Sequence, residues 1–82
     1  MKKRLVMVEW IDAISHDGGA WLSADDDNLE PSNCRSVGWV LKDTERYIHI
    51  AAHFSNDGAD MGGDICIPKG CIKRVKGLAI EF

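Results

Sequence analysis

No apolar run in this chain approaches the ~20 residues needed to cross a bilayer, which excludes a spanning helix. The basic start, Met1-Lys2-Lys3-Arg4, has the charge of a secretory leader. Glu9 and Asp12 interrupt the apolar stretch that follows, so no leader is read there and a cytoplasmic protein is expected. Cysteine is scarce: Cys34, Cys66 and Cys71 are odd in number and irregular in spacing, a poor disulfide framework. They read as reduced structural thiols acting as small hydrophobes. Without a tight Cys-x2-Cys knuckle, they do not read as a zinc site either.

Catalytic signatures are also missing. There is no phosphate-cradling glycine loop and no cofactor motif. Ser15-His16-Asp17 are sequence neighbours, whereas the members of a catalytic triad meet across a fold. His49 and His53 lie four apart, about 13 Å along a strand, too far to share one tetrahedral zinc. The run Asp25-Asp26-Asp27-Asn28-Leu29-Glu30 fails the EF-hand pattern, which needs an oxygen ligand at Leu29 and glycine at Glu30. With 82 residues the chain makes one domain, residues 1–82, with little room for a ligand cleft of about 300–1,000 Å³. No enzyme activity and no cofactor is expected.

What is present is β-sheet patterning. Positions 5–11 are rich in β-branched and aromatic residues, and Val6, Val8 and Trp10 would share a face. A second strand is expected at 34–42, where Val37, Trp39 and Leu41 alternate with Gly38, Val40 and Lys42. The clearest period of two lies at 47–54, with Ile48, Ile50, Ala52 and Phe54 on one face. Asn56-Asp57-Gly58 and Gly62-Gly63 mark positions 55–63 as turn. A fourth strand at 64–67 ends at Pro68. Pro68-Lys69-Gly70 then forms a tight 3₁₀-like turn before a last strand at 72–78. No window keeps a helical period. The fold class is all-β, and the expected core is Val6, Val8, Val37, Trp39, Ile48, Ile50, Ile65, Ile67 and Ile72.

Charge is unevenly spread. The net charge is −3, yet residues 5–34 hold no lysine or arginine, and Lys69, Lys73, Arg74 and Lys76 cluster near the end. Residues 15–33 form a long irregular stretch, dense in Ser, Asp, Asn, Gly and Pro. A loop this long in a small domain is usually functional or self-packed. Within it, Trp21 is expected to pin the loop to the body.

Five strands, a long loop after the first, short hairpins and a 3₁₀ turn before the last resemble a small five-stranded SH3-like barrel. The local echo is Ile65-Cys66-Ile67-Pro68-Lys69-Gly70-Cys71-Ile72-Lys73-Arg74-Val75, with Ile72 as the residue that plugs the barrel. Peptide-binding SH3 domains carry paired tyrosines in the long loop. This chain has a single Tyr, so proline-rich peptide binding is not expected. Glu9-Trp10-Ile11-Asp12, Ser36-Val37-Gly38-Trp39 and Ile67-Pro68-Lys69-Gly70 are also similar to small uncharacterised proteins of bacteriophages and prophages. That resemblance implies an origin and a fold, and brings no activity.

The leading expectation is therefore a small accessory protein that binds an unidentified protein partner and modulates or inhibits a host or defence protein. Trp21, Asp25, Asp26, Asp27 and Glu30 are its expected contact residues, because tryptophan is enriched in binding hot spots and carboxylates steer association. One alternative is nucleic-acid binding by Lys69, Lys73, Arg74 and Lys76, a thin footprint of four cations divided between two faces of a strand. The other is a homo-oligomer formed by pairing exposed strand edges. No membrane partner is expected.

Overall fold

The computed structural model describes residues 3–19 and 21–81. Among the described residues seven strands form: β1 (Arg4–Asp12), β2 (Ser32–Asp43), β3 (Tyr47–Ala51), β4 (His53–Ser55), β5 (Asp60–Gly62), β6 (Ile65–Pro68) and β7 (Ile72–Glu81). A 3₁₀ turn, Lys69–Cys71, precedes β7 as the Pro-Lys-Gly chemistry predicts. The main sheet has the order β6-β3-β2-β1-β7, and every pairing in it is antiparallel. Among the described residues no helix is long and apolar enough to cross a membrane.

Three features differ from the sequence reading. The main sheet stays open: β6 and β7 end it and do not pair with one another, so the expected closed barrel is not formed. The single strand expected at 47–54 breaks at Ala52, whose N–H donates to the carbonyl of Gly62. Beyond the break, β4 and β5 form a separate hairpin in the region read as turn. Its tip takes positive φ at Asn56 (53°), Asp57 (54°) and Gly58 (90°), and these residue types tolerate the left-handed region best.

The third difference is the facing of β2. Val6, Val8, Ile48, Ile50 and Ile67 form the buried cluster, with Trp10, Val40, Ile65 and Ile72 packed against it. Val37 is 57% exposed and Trp39 lies outside that cluster. The register explains this. Val6 is paired with Gly38 and Val40 with Ile50, so Gly38 and Val40 point to the core side. Val37, paired with Met7, points away.

The molecule is elongated, 53 × 24 × 21 Å, with a radius of gyration of 16.5 Å. A compact chain of this length would have about 12 Å. The exposed surface is 6191 Å², against roughly 4,900 Å² for a compact protein of this mass. Much of the excess belongs to an arm. Residues 13–31 leave the β1–β2 hairpin beyond the Asp12–Ser32 pair, and each described residue between 11 and 33 is exposed.

At the other end of β2, Asp43 accepts Lys69 Nζ at 2.7 Å and Arg4 at 3.5 Å, tying β2 to the 3₁₀ turn and to β1. The hydrogen-bonded Lys69 ammonium holds the Asp43 carboxyl below its ordinary value. A carboxyl lowered on folding stabilises the fold above its unfolded value, near pH 4, and loses that contribution as pH falls through the folded value. Asp43 is 40% exposed, so the contribution is at most about 1 kcal/mol. Asp43→Asn should lower the thermal midpoint slightly at pH 7 and leave it unchanged near pH 2, as read by a melting series across pH.

Candidate protein-binding arm and the cleft at its base

The arm is built from residues that resist regular structure. Gly18 and Gly19 take φ of 74° and 70°. Asp26 N–H donates to the Ser23 carbonyl at 3.0 Å, and Asp25 N–H to Ser23 Oγ at 3.3 Å, closing a tight turn. Asp25, Asp26, Asp27 and Glu30 follow on or after this turn, all exposed. Trp21 does not pin the arm to the body: it is 92% exposed. Ile14, Leu22 and Leu29 are exposed as well, at 47%, 54% and 41%.

At the base of the arm lies an open cleft of about 420 Å³ lined by Glu9, Trp10, Asn33, Cys34, Arg35 and Lys73. So small a domain was not expected to hold one. It lies where β1, flanked by β2 and by the start of β7, carries Trp10 at the edge of the core. The Trp10 indole N–H donates to Ser36 Oγ at 3.0 Å and so keeps its ring fixed. Glu9 faces Arg35 on β2 and Arg74 on β7 in register. It pairs with both, Arg74 at 3.0 Å and Arg35 at 3.4 Å. Two arginines and Lys73 around one carboxylate leave this end of the sheet cationic, next to an anionic arm.

The basic residues of the last strand are partly committed. Lys69 is paired with Asp43 and Arg74 with Glu9. Lys73 lines the cleft and Lys76 lies opposite Met7. The structure therefore does not gather the four into one surface. Cys66 and Cys71 are exposed and Cys34 half-buried, all three as free thiols, so the small-hydrophobe reading fails for two of them. Among the described residues no group of three or more His, Cys, Asp or Glu is placed to hold a metal ion.

Two features went unseen in the sequence. One is the Glu9 pair of arginines, set by a register that joins Glu9 to Arg35 on β2 and to Arg74, 65 residues away, on β7. The other is His49, whose Nε2 lies 2.6 Å from Asp64 Oδ2. No family model, curated protein or solved structure matches the chain.

Proposed function

We propose that this chain is a small SH3-like binding protein without catalytic activity, which engages a protein partner through its arm. The observation that carries the reading is the arm itself: Trp21, almost fully in water, projects beside four carboxylates at the far end of an elongated molecule. An exposed tryptophan is a cost unless something covers it, and tryptophan is the residue type most enriched at binding hot spots. The partner surface that fits is an apolar pocket able to take an indole, rimmed by lysine or arginine.

Support for the SH3-like reading comes from the strand order β6-β3-β2-β1-β7, the long excursion between β1 and β2, and the 3₁₀ turn before β7. The accessory role in the bacterial cytoplasm, with a host or defence protein as target, is part of this proposal and rests only on the short motifs at 9–12, 36–39 and 67–70 that resemble those of small phage and prophage proteins. Nucleic acid is the weaker reading, because ion pairs occupy two of the four cations it would use.

The test is affinity capture from bacterial lysate, with and without nuclease, with two baits, the natural chain and Trp21→Ala. A protein held by the first and lost from the second supports the proposal and names the partner. An identical set on both baits overturns it, as does the loss of every bound protein on nuclease treatment.

A further inference from the structure

Among the described residues eight large apolar side chains are exposed, and five of them, Ile11, Ile14, Trp21, Leu22 and Leu29, lie on the arm or at its root. Such a concentration on one segment marks a surface that meets another. The same segment is anionic: Asp25, Asp26, Asp27 and Glu30 make no ion pair with any described residue. The excess area points the same way. The chain exposes 6191 Å², about 1,300 Å² more than a compact protein of its mass.

The cleft at the base of the arm has the opposite character. Arg35 and Lys73 line it, and Arg74 joins Arg35 on Glu9, so three cations stand against one carboxylate. The Arg35 side chain stays 77% exposed beside Glu9, and Lys73 makes no ion pair among the described residues. The cleft's volume of about 420 Å³ falls within the range of about 300–1,000 Å³ typical of ligand sites. One wall is the Trp10 indole, held by Ser36. A second indole entering there would lie against Trp10, with the Arg35 and Lys73 cations in reach of its face. The chain's own Trp21 does not fill the cleft: it is 92% exposed and forms no part of the lining.

An acidic arm and a cationic base on one molecule complement each other between copies. We propose, resting on the reading of the arm as a binding surface, that two copies dimerise with their arms antiparallel about a two-fold axis. Each Trp21 enters the other copy's cleft, and each set of arm carboxylates faces the other copy's Arg35 and Lys73. The contact is isologous: one patch serves both copies, and the pair closes without leaving a free arm or cleft. Covering about half of the excess area on each copy buries roughly 1,300 Å² in total, at the lower end of the about 1,200–2,000 Å² of specific interfaces. An interface of that size with a charged rim gives a dissociation constant on the order of 10–100 µM. Below that concentration the arm stands free. Above it, a host protein and a second copy compete for the same Trp21.

The test is sedimentation equilibrium of the purified chain from about 5 to 500 µM, spanning that range. It should show a monomer at the low end and a dimer at the high end, weakened about tenfold when salt rises from about 0.05 to 0.5 M. Trp21→Ala should weaken the dimer at least about tenfold. Two charge-reversed variants locate the contact, D25K/D26K/D27K in the arm and R35E/K73E in the cleft, each checked for native circular dichroism. Each alone should be monomeric throughout, because like charges then face one another. An equimolar mixture should dimerise again, since the lysine arm meets the glutamate cleft and the two unaltered surfaces meet in the same pair. If R35E/K73E does not fold, Lys73→Glu takes its place. A monomer at every concentration overturns the proposal, as does a mixture that stays monomeric. So does a dimer that Trp21→Ala leaves intact, which would pair through another surface such as the outer edge of β7. No other protein is present, so failure here leaves the host partner to the capture experiment, and failure there leaves the dimer standing.

Discussion

Gly38→Ala should lower the thermal midpoint by about 10–20 °C, although it adds a single methyl group to a strand. Gly38 is buried in β2 opposite Val6, in the middle of the main sheet. A Cβ there would lie 2.9 Å from the Ala51 carbonyl oxygen and 3.1 Å from Ile50 Cβ. Neither neighbour can yield cheaply. The Ala51 carbonyl is backbone in the adjacent strand, and Ile50 is one of the five residues of the central cluster. Overpacking of this kind destabilises by about 1–3 kcal/mol, a large share of the roughly 5–10 kcal/mol expected of so small a domain. Val37→Ala is the matched control. It removes two methyl groups from the next residue, but Val37 is more than half exposed on the other face. Its midpoint should move by no more than about 3 °C. Melting curves of the two variants decide the point; equal shifts would mean that β2 faces the other way.

That pair of variants also shows where the sequence stops being readable. In β3 and β6 the isoleucines occupy one parity, Ile48 with Ile50 and Ile65 with Ile67, and the core cluster follows directly from the period of two. In β2 both parities carry apolar residues: Val37, Trp39 and Leu41 against Gly38 and Val40. Size favours the first set. The choice is made by pairing with β1 and β3, where the bulk of Ile50 leaves space for a glycine alone. The open sheet was equally hidden, because closure depends on accumulated twist and tilt rather than on any one strand's pattern. The β4–β5 hairpin was masked by its own composition, since Ser, Asn, Asp and Gly dominate three-residue strands joined by a tight turn.

The candidate site divides in the same way. Asp25, Asp26, Asp27 and Glu30 lie close together in sequence and were legible as an acidic surface. The exposure of Trp21 was not, because a large apolar side chain is ordinarily drawn to a core, and here each described residue of the arm is exposed. The His49–Asp64 contact and the Glu9–Arg74 pair arise from register across 15 and 65 residues. No local pattern encodes those separations.

If the arm is the binding surface, its two kinds of residue should act on different rate constants. Trp21→Ala removes an anchor that buries about 200 Å² against a partner, while touching nothing in the body of this protein. Dissociation from the captured partner should speed up by at least about thirtyfold, in line with a hot spot of about 2 kcal/mol. The melting temperature should not change. The quadruple variant D25N/D26N/D27N/E30Q keeps the shape of the arm and removes its charge. Association should slow by about tenfold at low ionic strength, with dissociation little altered and the salt dependence of the on-rate largely gone. Surface plasmon resonance at two salt concentrations separates these outcomes. The distinction matters because the same molecule carries a cationic cleft at the base of the arm. If the amide variant binds faster, the partner is itself acidic and docks on Arg35 and Lys73. If neither variant changes either rate, the partner uses some other face of the sheet and the arm is not the working surface.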